Sequence, residues 1–177
     1  MQYAVLFLPL LGAFIGYIVK YFGDFFSQLT TTIFVCSAAF LSIILFYNGI
    51  KYDIYGNYLI FNWISSGNFE VNWSVNIDPL TSIMLVVVCV VSALVHIYSI
   101  GYMDHDPNKP RFMSYLSLFT FAMNSLIVSD NFLQLFFGWE GVGLCSYLLI
   151  CFWYKKDTAN KAAIKAFIVN RVGDFGL

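Results

Sequence analysis

Several long stretches of this chain carry no charged side chain, and this feature constrains the fold more than any other. No Asp, Glu, Lys or Arg occurs from Met1 to Val19, or between Asp24 and Lys51. A helix needs about 20 mostly apolar residues to cross the hydrocarbon core of a bilayer. Charged residues make up 11% of the chain and hydrophobic residues 60%. A soluble domain has a charged content near 25%, so we exclude a soluble globular enzyme and predict an all-α integral membrane protein.

The uncharged stretches predict about six transmembrane helices and one sizeable connection. The predicted helices cover approximately residues 3–20, 29–49, 79–103, 111–129, 131–154 and 160–177. The connection, residues 51–77, alternates aromatic and β-branched side chains and has turn signals at Gly56-Asn57 and Ser66-Gly67-Asn68. This pattern predicts a short β-hairpin on the outer face. Two interpretations of the hairpin stay open: a contact surface for a neighbouring subunit, or aromatic anchoring at the membrane interface.

The sixth predicted helix is too short to cross a bilayer. It extends about 27 Å, at 1.5 Å per residue, against a hydrocarbon core of about 30 Å. Ending a chain inside the membrane leaves carbonyl groups without hydrogen bonds, which is costly. We therefore expect residues 1–177 to be the N-terminal part of a larger membrane subunit, whose remainder is absent or lies on another chain.

Basic residues are concentrated in the connections that follow the first, third and fifth predicted helices. They are Lys20, Lys109, Arg111, Lys155, Lys156 and Lys161. Short connections rich in Lys and Arg favour the cytoplasmic or matrix side of a membrane. The distribution predicts that the N-terminus and the hairpin lie on the opposite, outer side.

Glu140 is the strongest candidate for a functional residue. It follows Asp130 by ten residues and precedes Lys155 by fifteen. At 1.5 Å per residue these separations are about 15 and 22 Å, so Glu140 is expected near the middle of the bilayer. An acid at that depth costs several kcal/mol unless it is paired or hydrated, and proton relays are a recurring reason for one. The structural alternative is a neutral or paired carboxyl group that fixes helix packing.

Several other residues are candidates to act together with Glu140. Gly143 and Tyr147 share its helix face, which is expected to line a hydrated path. The sixth helix supplies Lys165, which alternatively extends to the membrane surface, and a charge pair of Arg171 and Asp174 at i,i+3. The sequence leaves open which base pairs with Glu140.

His96 is the only titratable group other than cysteine or tyrosine in the third predicted helix. An imidazole inside an apolar span is able to pass protons near neutral pH, or it is simply a hydrogen-bonded packing residue. The four cysteines lie in apolar runs without metal-ligand spacing, so no metal site is predicted. A net charge of −1 gives no attraction toward nucleic acid.

Several segments of the chain, in order and spacing, resemble subunit 5 of respiratory NADH–quinone oxidoreductase (complex I), which is subunit L in bacteria. They are VNIDPLTSIML, VHIYSIGYM, HDPNKPRFMSYLSLFTFAM, FFGWEGVGLCSYLLI and KAAIKAFIVNRVGDFGL. The resemblance covers nearly the whole chain and is strongest from Asp78 to Gly176. It departs from the family in length, because the family's later helices are missing.

The resemblance implies a role in the distal, antiporter-like, proton-pumping module of complex I. Glu140 matches the family's essential membrane glutamate, which pairs with a lysine on a seventh helix. His96 matches a histidine on the third helix, and Lys165, Arg171 and Asp174 match charged positions on the sixth. The resemblance implies no cofactor in this chain, since NADH, FMN, iron–sulfur clusters and ubiquinone belong to other subunits.

The function expected from the resemblance is proton translocation driven by electron transfer elsewhere in the complex. The alternatives are a subunit of a sodium/proton antiporter, or a structural bundle piece without proton transfer. Expected partners are other membrane subunits of complex I, especially the adjacent antiporter-like one, a chain carrying the rest of the subunit, and lipid. The expected location is the mitochondrial inner membrane, with the N-terminus on the intermembrane-space side, or a bacterial plasma membrane.

Overall fold

A computed structural model describes residues 1–67 and 69–176, in which six α-helices and one β-hairpin are found. The helices are α1 (Gln2–Val19), α2 (Asp24–Tyr52), α3 (Pro79–Tyr102), α4 (Lys109–Ile127), α5 (Phe132–Ile150) and α6 (Asp157–Asp174). Strands β1 (Gly56–Ser66) and β2 (Phe69–Ile77) lie between α2 and α3. The predicted all-α membrane class, with a hairpin after the second helix, is confirmed.

Four of these helices, within the described residues, are long and apolar enough to cross a membrane. They are Gln2–Val19, Asp24–Tyr52, Pro79–Tyr102, and α5 with the turn that extends it to Trp153. Helix α4 is also a packed helix of the bundle, but its first turn carries Lys109 and Arg111 and one face is rich in serine and threonine. Helix α6 is more polar still, and Ala163 is its only buried residue among those described.

The core lies among the first four helices. Helix α1 packs against α2 and α4, α2 packs against α3, and α4 packs against α5. Buried apolar side chains from these elements form one cluster, which includes Val5, Leu6, Val35, Leu85 and Cys89. Helix α6 contacts only α5 and the short 3₁₀ turn Cys151–Trp153 among the more extensive contacts, so one face of α5 and α6 stays open.

The bundle has two chemically different ends. The hairpin end comprises the two strands and the connection between α4 and α5, where the Asn76 amide donates to the Val128 carbonyl at 3.0 Å. The basic end comprises residues 20–24, 103–111 and 151–156, which contain most of the basic connections. The antiparallel pairing runs from Gly56↔Ile77 to Ser66↔Phe69. Asn68, part of the second predicted turn, lies outside the described residues, as does Leu177.

Candidate functional site

Helix α5 positions Glu140 close to α4. The side chain of Asn131 caps the helix by accepting a hydrogen bond from the Gln134 amide at 2.9 Å. Gly138 faces α4 so closely that an added Cβ would lie 2.6 Å from the Leu126 amide nitrogen. The small-residue contact therefore sets the separation of the two helices at the level of Glu140, near the middle of α5.

Arg171 of α6 forms an ion pair with Glu140 of α5. The same guanidinium lies 3.8 Å from a carboxylate oxygen of Asp174, one turn further along α6. Asp174 also accepts a hydrogen bond of 2.7 Å from the Trp139 indole nitrogen. The structure therefore brings together three of the predicted charged residues, and it selects Arg171 as the base that contacts Glu140 within this chain.

A cleft of about 400 Å³ lies beside this ion pair. Residues of α4, α5 and α6 line it, including Met123, Phe167 and Asn170 along with the two charged partners. Its walls are largely apolar, whereas the Glu140 side chain is 22% exposed and that of Arg171 is 50% exposed. The pair therefore has one protein side and one open side, and any further charge must approach Glu140 from the open side.

The other residues predicted to flank Glu140 lie at the α5–α6 interface. An added Cβ on Gly143 would lie 3.9 Å from the Asn170 amide nitrogen, and the Tyr147 ring packs edge-on against Phe167 at 5.6 Å between centroids. Lys165 is exposed on α6 and takes part in none of the ion pairs within residues 1–67 and 69–176. The structure does not bring Lys165 to Glu140.

His96 is fully buried between α3 and α4, at a different helix interface from Glu140. Its Nδ1 lies 2.8 Å from the Ser92 carbonyl oxygen, and its Nε2 lies 3.0 Å from the Ser117 hydroxyl. A carbonyl oxygen only accepts, so Nδ1 carries the proton. In the neutral ring Nε2 then accepts a hydrogen bond from Ser117.

The hydrogen bonds of His96 continue as rungs between α3 and α4. Ser92 and Thr120 share a hydroxyl–hydroxyl hydrogen bond of 2.5 Å, and Cys89 lies 3.6 Å from the Asn124 side-chain oxygen. Asn124 also donates to the Val5 carbonyl of α1 at 3.2 Å. Interhelical hydrogen bonds of this kind hold membrane helices together. The signal for them was present in the sequence as Ser117, Thr120 and Asn124 on one face of α4.

Gln134 is a second element of the site that sequence analysis missed. It is fully buried at the start of α5, and both ends of its side-chain amide bind the backbone of Ser74 in β2, at 3.2 and 2.7 Å. Asp130 accepts a hydrogen bond from the Ser74 hydroxyl at 3.1 Å. The hairpin is thereby fixed to the helix that carries Glu140.

The described part of the chain contains no group of three or more His, Cys, Asp or Glu side chains placed to hold a metal ion. The charged cluster at α5 and α6 combines one arginine with two carboxylates, which compensates charge within the protein. Its chemistry suits proton binding and electrostatic switching.

Comparisons with known proteins identify the family. Residues 63–113 match the model described as NADH-ubiquinone oxidoreductase (complex I), chain 5 N-terminus, and residues 129–177 match NADH:quinone oxidoreductase/Mrp antiporter, TM. The whole chain is 52% identical to NADH-ubiquinone oxidoreductase chain 5 of Arabidopsis thaliana. The chain belongs to the complex I chain 5 family. NADH-quinone oxidoreductase subunit L of Rickettsia bellii, another family member, is 53% identical over 97% of the chain.

This family member covers only part of the length of its relatives. It spans 27% of both the Arabidopsis and the Rickettsia proteins. Among solved structures, a chain of membrane-bound sulfane sulfur reductase, an archaeal respiratory membrane complex, matches 98% of this chain with a TM-score of 0.79. The match covers 35% of that chain at 19% identity, so it supports the antiporter-like membrane fold.

Proposed function

We propose that this chain forms part of the proton-translocating membrane arm of an NADH:quinone oxidoreductase and that Glu140 lies on a proton path. The ion pair of Glu140 with Arg171, next to an open cleft, carries the proposal. Membership in the complex I chain 5 family supplies the reaction to which proton movement is coupled. Electron transfer itself takes place on other subunits of that complex.

The proposed mechanism is electrostatic. While a cation is close to Glu140, the carboxylate is stabilised in its ionised form. Withdrawal of that cation inside a low-dielectric membrane favours the neutral acid, so Glu140 takes up a proton. Return of the cation releases the proton. Arg171 supplies one cation from within this chain, and the resemblance implies a lysine on a seventh helix that approaches from the open side of the cleft.

His96 and Lys165 have separate roles in the proposal. His96 would exchange protons through Ser117, which already contacts Nε2, so the α3–α4 interface forms a second, independent polar route. Lys165, exposed on α6, would contribute a positive charge near the entrance of the path.

The proposed setting is a mitochondrial inner membrane or a bacterial plasma membrane, since plant mitochondrial and Rickettsia relatives are equally similar. The basic end of the bundle would face the matrix or cytoplasm and the hairpin end the opposite side. The proposed partners are the adjacent antiporter-like subunit and the chain segment that supplies the later helices.

The test is Glu140→Gln in the assembled complex. We expect proton pumping per NADH oxidised to fall at least about tenfold, which corresponds to a barrier increase of about 1.4 kcal/mol or more. Glu140→Asp, which retains an acid, should restore part of the activity. Glu70→Gln is the matched control, because Glu70 is an exposed residue of β2. Normal pumping by a fully assembled Glu140→Gln complex would refute the role and favour a structural bundle piece.

A sodium/proton antiporter subunit is the second candidate function. The family model that matches residues 129–177 is described for both NADH:quinone oxidoreductase and Mrp antiporter. Sodium-dependent proton flux in vesicles without NADH would support this candidate. Flux that requires NADH and is insensitive to sodium would support the first.

A further inference from the structure

A polar pocket of about 380 Å³ opens at the basic end of the bundle, away from Glu140 and its cleft. The side chains of Tyr17, Lys20, Tyr21 and Asp24 line one wall, and residues 107–111 with Arg111 line the other. The pocket therefore lies between the α1–α2 connection and the first turn of α4. Because α1 and α2 are both membrane-span candidates, their connection lies at a membrane surface.

Lys20 is held in position by two tyrosines. Its ammonium nitrogen lies 4.2 Å from the centroid of the Tyr17 ring and 5.5 Å from that of Tyr21. Gly23, with a φ of 139°, reverses the chain between α1 and α2. That backbone conformation is favourable for glycine, and the reversal places Lys20 and Asp24 on the same pocket.

Arg111 is held in position from the opposite side. Its guanidinium carbon lies 5.1 Å from the Phe152 ring centroid and 5.4 Å from that of Tyr154. One terminal nitrogen donates a hydrogen bond of 3.1 Å to the Phe152 carbonyl. These contacts orient the planar guanidinium and leave its other terminal nitrogen as a donor for an oxyanion.

The charges on the pocket favour a group with a single negative charge. Lys20 and Arg111 are positive and Asp24 is negative, so the net charge of the lining residues is +1. Neither base takes part in the ion pairs of residues 1–67 and 69–176. Neighbouring Lys109 is instead neutralised by Asp104, whose carboxylate lies 3.0 Å away.

We propose that this pocket binds the phosphodiester headgroup of an anionic phospholipid. A phosphodiester carries one negative charge, which matches the net charge of the pocket. Basic pockets between membrane helices on the cytoplasmic or matrix side are suited to such headgroups. The location at the membrane surface provides lipid directly, and the two tyrosines provide an amphipathic wall typical of the interface. The assignment does not depend on proton transfer at Glu140.

The test uses the assembled complex in nanodiscs that contain a photoactivatable phosphatidylglycerol, followed by mass spectrometry of the peptides that include residues 17–24 and 107–111. We expect labelling of these peptides in wild type. Lys20→Gln should reduce it about fivefold, or about 1 kcal/mol, which is typical of one basic group at a membrane surface. Arg111→Gln should reduce it as well. Lys161→Gln is the matched control, because Lys161 is exposed at the same end and does not line the pocket.

Two further arms distinguish the source of the phosphate. Phosphatidylcholine with the same acyl chains and label should give weak labelling, because its headgroup has no net charge. Millimolar inorganic phosphate should leave labelling by phosphatidylglycerol unchanged, and displacement would assign the pocket to soluble phosphate and overturn the lipid proposal. Equal labelling by both lipids, or labelling unaffected by Lys20→Gln in an assembled complex, would also overturn it.

Discussion

Replacement of Gln134 by leucine should release the hairpin from α5. Gln134 is completely buried, and its amide both accepts from the Ser74 backbone nitrogen and donates to the Ser74 carbonyl oxygen, at 3.2 and 2.7 Å. Leucine fills a similar volume but leaves both backbone groups without these partners. A buried polar group deprived of its hydrogen bond costs about 1–3 kcal/mol. Apolar burial of the new side chain offsets part of this cost, so we expect a net loss of about 2–4 kcal/mol.

The assay for this loss is amide hydrogen exchange at Ser74 in lipid nanodiscs, which measures the free energy of local opening. A loss of 2–4 kcal/mol corresponds to about 30- to 1,000-fold faster exchange. The matched control is Gln28→Leu in α2, because Gln28 is also buried but its amide nitrogen has no hydrogen-bond partner in the described structure. We expect that control to leave exchange at Ser74 unchanged. Unchanged exchange in Gln134→Leu would refute the argument.

Two further predictions concern helix packing and surface charge. Gly138→Ala should destabilise the fold by about 1–3 kcal/mol in thermal unfolding, because its new Cβ would lie 2.6 Å from the Leu126 backbone nitrogen. Gly143→Ala should be tolerated, since its nearest contact would be at 3.9 Å; equal loss in both variants would contradict the packing argument. Lys109 donates a hydrogen bond to Asp104 and lowers the pKa of that carboxyl below its ordinary 3.8. Its stabilising contribution is therefore complete above that ordinary value and lost as pH falls through the lower, folded value. Asp104→Asn should flatten this acid limb of the stability profile in low salt, and high salt should weaken the difference; an identical acid limb in both proteins would contradict it.

The sequence was sufficient to predict the class of fold because the apolar stretches are long and their interruptions are few. Between Asp24 and Lys51 no alternative to a buried or membrane helix satisfies the backbone without water. The hairpin was equally predictable, since alternation with period two is incompatible with an amphipathic helix. Glu140 was recognisable as a candidate because it is the only acid between Asp130 and Asp157.

The contacts around the candidate site were less predictable, because they depend on which helices become neighbours. Glycine at position 138 is ordinary in a membrane helix, and only its approach to Leu126 makes it informative. Gln134 and Ser74 are sixty residues apart, and neither residue type alone indicates a fixed partner. The base that contacts Glu140 depends on the rotation of α6 about its axis, which a mostly exposed helix encodes weakly.

Arg171 contacts two carboxylates in different ways, and this difference bears on the proposed mechanism. Asp174 lies one turn away on the same helix, so it remains within reach whatever the position of α6. Glu140 lies on α5, so its contact with Arg171 depends on the separation of the two helices. A small movement of α6 away from α5 would remove the cation from Glu140 while Arg171 keeps a carboxylate partner. The arginine therefore avoids the large cost of an isolated charge in the membrane, and Glu140 alone experiences the change in charge that drives proton uptake.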